Sequence, residues 1–257
     1  MFADMHCHLA TRDFERDLSL VIDRAKKAQL DFCVAVGTNT KDNLETLDIA
    51  RRFAFVKPAI GIYPQEAEQL DDDEFEALVS FIAKNKEKIC SIGEVGLDYK
   101  NTSDKILIDK QKRVFERMIV LSEKTKLPLT IHSRKAENDA FEMVKSSNAK
   151  NAVFHCFMGN LAIAKKISDA GHFVSVPTNV VFNAAVQEIA KEIDIHSLVA
   201  ETDSPFLSPF KGKRNEPAFV VEAVKKIAEL KRIKLQDAEE SVFANSKKII
   251  SAGARII

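Results

Sequence analysis

The sequence predicts an α/β fold, a single (β/α)8 TIM barrel over residues 1–257 with extra helices at its C-terminal end. Three observations predict it. Apolar β-type runs alternate with amphipathic helical stretches along the chain. Eight such runs fit within 257 residues, the usual size of one barrel. The rival architecture, an open doubly wound sheet, usually announces itself with a glycine-rich first βα turn, and here that turn reads HCHLATRDF with no glycine.

The elements run in order. Residues 2–8 form the first strand, and residues 13–30 form a helix with Leu18, Val21, Ile22 and Ala25 at helical spacing. Residues 32–37 are the second strand, followed by a helix carrying Leu44, Leu47 and Ala50. The third strand covers 56–63. Asp71 to Asp73 then offer an acidic helix start that suits the N-terminal macrodipole. Strands follow at 89–95, 127–132, 152–156, 173–177 and 198–202, with helices near 106–126, 136–146, 161–170 and 184–193. Residues 217–250 supply two more helices.

Composition excludes several classes. With 46% hydrophobic residues the chain can bury a large core and is not a disordered one. Lys+Arg 38 against Asp+Glu 38 gives zero formal charge, which argues against gripping nucleic acid by bulk charge. No apolar run is long enough to span a bilayer, and the opening MFADMHCHLA lacks the pattern of a signal peptide. The four cysteines form no CxxC pair, which fits a reducing compartment, and a cytoplasmic location is expected.

The histidines fall into two groups. His6, His8, His132 and His155 lie at C-terminal ends of predicted strands, where barrel enzymes build their sites. His172 and His196 precede strands and belong to the opposite end. His6 and His8 share a strand face by alternation and can chelate one cation, although an isolated HxH is more often a pair of core or solvent-facing histidines. Asp4 shares that face and could orient one of them. Glu94 in SIGEVGLDY is costly to bury unpaired, and either a metal or a lysine or arginine from a neighbouring strand would settle it. Asp203 in LVAETDSP sits at the rim, where a cap or loop hydrogen bond is the plain alternative, and Glu201 reads as an anchor for a neighbouring group. Cys7 and Cys156 alternate away from the ligand face and read as small buried hydrophobes. Taken together, His6, His8, Glu94, His132, His155 and Asp203 are more donors than one catalytic metal needs. They suit two divalent ions about 3.5–4 Å apart sharing a carboxylate, with Zn, Mn or Mg as candidates.

The set DMHCHL, GIYP, GEVGLDY, LPLTIHSRKAE, FHCFMG, ETDSP and GKRNEP resembles the TatD-like metal-dependent deoxyribonuclease family of amidohydrolase-type barrels, in order and over almost the whole chain. The resemblance implies that His6 and His8 are the first-strand metal pair, that Glu94 lies between the metals, and that His132 and His155 serve the second metal. It implies that Asp203 binds the first metal and handles the proton of the attacking water. Arg134 and the stretch Lys213 to Pro217 match rim segments near substrate. The pattern also departs from the family. GIYPQEA stands where GIHPHEA is common, so Tyr63 and Gln65 replace histidines, and SVPTNVVFNAA lacks the usual serine-glycine and lysine.

The expected function is therefore divalent-metal-dependent hydrolysis of DNA phosphodiester bonds by a metal-activated water, as a 3′–5′ exonuclease acting on single strands or strand ends with modest affinity. Arg134 and Arg214 are candidates for phosphate contact. Tyr63 and Tyr99 are candidates for stacking on a base, while Phe157 and Phe206 are expected to pack. Alternatives are a hydrolase of a small phosphoester, amide or lactone, a PHP-type phosphoesterase barrel, whose opening motif continues differently, or a partner-binding scaffold with a decayed site.

Overall fold

The computed structural model describes residues 1–253. Among them eight parallel strands form one sheet in sequence order: β1 (Phe2–Cys7), β2 (Leu30–Val36), β3 (Val56–Ile60), β4 (Ser91–Asp98), β5 (Leu129–Arg134), β6 (Val153–Phe154), β7 (Phe173–Pro177) and β8 (Leu198–Glu201). The sheet curls until its last strand meets its first. The Asp203 N–H donates to His6 O at 2.9 Å and the His8 N–H to Ser204 O at 2.8 Å, so the seam of the barrel passes through three expected metal ligands.

Ten α-helices are described: α1 (Leu18–Lys27), α2 (Thr40–Arg52), α3 (Pro64–Gln69), α4 (Asp72–Lys84), α5 (Lys105–Thr125), α6 (Glu137–Lys145), α7 (Leu161–Asp169), α8 (Ala184–Glu192), α9 (Val220–Lys231) and α10 (Leu235–Gly253). Local chemistry starts several of them. The expected acidic start of α4 is a capping box: Asp71 accepts from the Glu74 N–H at 2.8 Å and Glu74 from the Asp71 N–H at 3.0 Å. Asn39, Asn160 and Asn183 cap α2, α7 and α8 from one side only, each side chain accepting a backbone N–H.

Several elements differ from expectation, among them β3, which stops at Ile60 and not at 63. The first helix begins at Leu18, not at 13, because residues 11–17 wind as successive tight turns that drive Phe14 into full burial. β4 runs on to Asp98, paired with β5 as far as Arg134. β6 is only two residues long, because Cys156 takes a left-handed φ of 43° and turns the chain away. Helix α3 was not foreseen; Pro64 at its first position starts it, where the missing N–H costs nothing.

The core has two layers. Most buried apolar side chains join strands to surrounding helices. A second cluster takes residues from strands all around the sheet, including Met5, Val34, Ala59, Val153 and Val199, with Ile249 and Ile250 of α10 as its helical members. Side chains from opposite strands meet only inside a barrel, so this cluster fills the interior. Asn245 of α10 donates to Ile195 O and Leu198 O, at the start of β8. Helix α10 therefore packs at the N-terminal end, and the C-terminal end carries the mouth. No described helix is long and apolar enough to cross a membrane.

Candidate metal centre

All six expected ligands converge at the C-terminal ends of β1, β4, β5, β6 and β8, in two groups. His6, His8 and Asp203 form one, and Glu94, His132 and His155 the other. Glu94 joins them by giving one oxygen to each. Its Oε1 lies 2.6 Å from His132 Nδ1 and 3.0 Å from His155 Nε2. Its Oε2 lies 3.6 Å from His6 Nε2 and 3.8 Å from His8 Nε2. Asp203 Oδ1 completes the first group at 3.3 Å from His8 Nε2 and 3.7 Å from His6 Nε2.

The donor set fits divalent cations. His6 Nε2 and His8 Nε2 lie 3.1 Å apart, and at most one proton can sit between them, whereas a shared cation would use both lone pairs. Glu94 is 2% exposed, and its charged neighbours are imidazoles. The lysine or arginine partner weighed from sequence is not what holds it. Zn²⁺, Mn²⁺ and Mg²⁺ all accept donors from this set, with the imidazoles favouring the first two.

Burial and mutual charge set the protonation. Burial, with His155 and His8 beside it, holds His6 well below the ordinary histidine range. Burial would lower His8, but the hydrogen bond to Asp203 wins and raises it. Burial likewise opposes His155, and the carboxylates of Glu94 and Glu201 overcome it and raise it well above the ordinary value. His132 is raised against burial by Asp98 and Glu94. Burial works against the Glu94 anion, yet His155 and His132 hold its carboxyl well below the usual range. The carboxylate stays ionised and ready to ligate.

Backbone features place these side chains. Gly96 has φ 142°, and a Cβ there would stand 2.0 Å from His132 O, so only glycine lets β4 and β5 approach this closely. Asp203 itself adopts φ 55°, a left-handed conformation uncommon outside glycine, at the point where β8 must turn its carboxylate inward. Asp4 is fully buried. It accepts from the Thr202 N–H at 2.8 Å, the Thr202 hydroxyl at 2.6 Å and the His6 N–H at 3.2 Å. It thus clips β1 to β8 beneath the ligands and does not touch an imidazole, as sequence had suggested it would.

Above the ligands lies a cavity of about 540 Å³. Arg134 and Tyr63 line it, as do Phe206 and Cys156. Two readings change here. Cys156 reaches the cavity because of its left-handed turn, while Cys7 is buried as expected. Phe206 is 56% exposed and stands edge-on to His8 instead of packing inside, unlike Phe157, which is buried. Tyr63 contributes its ring to the lining, but its hydroxyl donates to Asp98 Oδ2 at 2.9 Å. Tyr99 donates to Asp139. Arg214 does not line the cavity. Its guanidinium forms paired hydrogen bonds with Asp17 at 2.7 and 2.9 Å, bonds Asp13 O, and covers the Phe14 ring. It lashes the loop after β8 to the turn before α1.

One residue was missed from sequence, and a second keeps the role read for it. Asp98 ends β4 with Oδ2 3.3 Å from His132 Nε2. Its hydrogen bonds, to the His132 ring above all, hold its carboxyl below the ordinary range in spite of burial. The signal was available: Asp98 is two residues beyond Gly96 in GEVGLDY. Glu201 accepts from the Cys156 N–H at 2.6 Å and lies 3.4 Å from His155 Nδ1, close enough to act by charge although not aligned as a hydrogen bond. It anchors the turn after β6, as read from sequence.

Imidazoles and carboxylates gathered at the C-terminal mouth of a parallel barrel define a metal-dependent hydrolase. Comparison with known proteins narrows the class. The family profile described as TatD related DNase matches residues 3–251, and the chain belongs to that family. YabD of Bacillus subtilis, named an uncharacterized metal-dependent hydrolase, is 33% identical over 97% of this chain and 98% of its own. The human protein named deoxyribonuclease TATDN3 is 30% identical over 96% of this chain and 93% of its own. Among solved structures the TatD homolog YJJV of Escherichia coli superposes with TM-score 0.89 and 22% identity, covering 96% of this chain and 97% of that one. That likeness shows the fold.

Proposed function

We propose that this hydrolase is a deoxyribonuclease that removes nucleotides from strand ends in the 3′–5′ direction, with two divalent ions held by His6, His8, Glu94, His132, His155 and Asp203. The observation that carries the two-ion reading is Glu94, which turns one oxygen to His132 and His155 and the other to His6 and His8, beside Asp203. The name of the human relative supports DNA as substrate. When bound, the ions would supply Lewis-acid neutralisation of phosphoryl charge and a more acidic water.

The chain's own groups do the rest. Asp203 sits at the rim, 14% exposed at its side chain, where it can accept the proton of the attacking water. Arg134, exposed at the end of β5, is the cation lining the cavity and suits bidentate contact with one phosphate. The exposed ring of Phe206 offers a stacking face for a base, and Tyr63 adds a second aromatic wall. Asp42, Glu66 and Glu137 line the same mouth and would repel a long phosphate backbone there. That polarity favours one strand end over the middle of a duplex. Arg214 is proposed to hold its loop, leaving the exposed Lys211 and Lys213 as outer phosphate contacts. A cytoplasmic setting is inferred, supported by four cysteines held as free thiols.

The acidic lining also favours a second reading, hydrolysis of a small phosphoester, amide or lactone. Single-stranded DNA labelled at the 3′ or 5′ end, offered to metal-stripped protein and to Mg²⁺, Mn²⁺ and Zn²⁺ forms, separates the two. Metal-dependent shortening from the 3′ end, lost in Asp203→Asn, is expected. Two bound metals per chain with no cleavage of DNA, and turnover of a small phosphodiester or cyclic amide, would establish the second reading instead.

A further inference from the structure

Tyr63 and Asp98 have no part in the ligand set, yet both stand against one ligand. His132 presents two nitrogens to different neighbours. Its Nδ1 faces Glu94 Oε1 at 2.6 Å and His155 Nε2 at 3.4 Å, while its Nε2 faces Asp98 Oδ2 at 3.3 Å and the Tyr63 oxygen at 3.4 Å, whose own proton goes to Asp98. A neutral imidazole gives its lone pair through one nitrogen only when the proton sits on the other. An ionised carboxylate accepts and cannot donate, so Asp98 calls for the proton on Nε2 and frees Nδ1.

Asp98 can impose that choice because it is itself pinned. Its Oδ1 accepts from the Lys100 N–H at 2.9 Å and the Asn101 N–H at 3.2 Å. Its Oδ2 accepts from Asn101 Nδ2 at 3.1 Å and from the Tyr63 hydroxyl at 2.9 Å. Tyr63 is the member of this set that arrives from a different strand end, after β3. Its ring also stands edge-on to His132, with centroids 4.8 Å apart. The imidazole is thus held by a carboxylate at its Nε2 and by an aromatic ring beside it. Neither Tyr63 nor Asp98 hydrogen-bonds His6, His8 or Asp203.

We infer that Tyr63, acting through Asp98, is a positioning residue that fixes the tautomer and orientation of His132 and thereby sets the affinity of one metal position and not the other. The inference rests on the two-metal reading above. It also gives the Tyr63 hydroxyl a role of its own beside the stacking proposed for the ring, since that hydroxyl is already committed to Asp98.

The test uses zinc alone and needs no DNA. Metal-free full-length protein is titrated with Zn²⁺ by calorimetry, and the histidine ring nitrogens of the zinc-loaded protein are followed by ¹⁵N–¹H correlation. In Tyr63→Phe, which keeps the ring and removes the hydroxyl, one of the two binding steps is expected to weaken about 3–10-fold and the other to stay put, since removing an outer partner of a ligand outright costs about 10–100-fold. The His132 Nε2–H signal should shift and exchange faster. Asp98→Asn should weaken the same step about 10–100-fold, because its amide nitrogen, facing His132, offers a proton where one is already required. Should Asp98→Asn fail to fold, Tyr63→Phe decides alone, as it leaves every backbone contact of Asp98 intact. Unchanged zinc constants with unchanged His132 signals in Tyr63→Phe would overturn the inference, and so would equal weakening of both steps. Because zinc binding is read directly, a protein that binds two ions but cuts no DNA would refute the nuclease reading and leave this one standing.

Discussion

Asp4 offers the sharpest test of how the site is held. It is fully buried where the barrel closes, and it accepts two backbone N–H groups, from Thr202 and His6, besides the Thr202 hydroxyl. Asp4→Ala leaves those two N–H groups buried without partners, at about 1–3 kcal/mol each. Part of that loss is offset, because a buried carboxyl also leaves. Burial pushes Asp4 well above the ordinary carboxyl range despite its three donors. The balance is a destabilisation of about 3 kcal/mol. For a chain of this size that lowers Tm by about 6–12 °C. Asp4→Asn should be far milder. Its carbonyl can still accept both N–H groups, while its amide faces the Thr202 hydroxyl, which can turn to accept. Thermal and urea unfolding of both variants, with calorimetric metal binding alongside, would check this. Asp4→Ala should also weaken metal binding, since the His6 amide loses its anchor. A Tm within 2 °C of wild type for Asp4→Ala, or equal losses for Asp4→Ala and Asp4→Asn, would refute the idea that this carboxylate clips the barrel shut.

Three other perturbations test neighbouring claims. Gly96→Ala puts a Cβ against His132 O at a φ that side chains rarely adopt, so β4 and β5 must separate. The strain should cost about 1–3 kcal/mol, and metal binding should fall with it; a variant with wild-type unfolding and metal uptake would contradict the close-approach argument. Metal binding should strengthen as pH rises through the histidine range and should release protons, because His8, His132 and His155 are all raised and must give up protons to ligate. Calorimetry in buffers of different ionisation enthalpy measures that release, and none at neutral pH would disprove it. Far from the site, His172 is held below its ordinary value by burial, with Lys150 adding to it, and its Nδ1 accepts the Ala152 N–H at 3.3 Å. The unfolded chain therefore binds this proton first, so the stability His172 contributes is full above about pH 6.5 and is lost as pH falls below it. His172→Gln should flatten part of the decline in urea midpoint between pH 7.5 and 5.5, and an unchanged slope would show that His172 does not contribute.

Much of the architecture was legible without coordinates. Period and turn chemistry are local properties, so all eight strands and the capped start of α4 follow from the chain. So does the division of the histidines between the two ends, since strand direction tells which end a residue closes. The six donors could be assembled for the same reason: five lie at or within two residues of a strand end, Glu94 lies four residues before the end of β4, and a parallel barrel brings those ends together.

Where the chain turns was harder, because tertiary contacts decide it. Residues 11–17 carry helical periodicity but wind into turns, since Phe14 is drawn into the core beneath Arg214. Cys156 has the alternation of an outward residue, yet a left-handed turn brings it to the cavity. Arg214 lies in a basic run that reads as a phosphate contact, and Asp17, 197 residues away, takes its guanidinium.

The sequence by itself determined the barrel, the end at which the donor side chains gather, and which six residues are candidates to hold a cation, because these depend on periodicity and on which residue types can donate to one. The tertiary structure decided how the ligands divide. That Glu94 turns one oxygen to each group, that Asp98 and Tyr63 hold His132, and that Asp4 joins β1 to β8 are distances between strands remote along the chain. Spacing along one strand cannot encode them, because they are set by how far each strand slides and tilts against the others when the barrel closes.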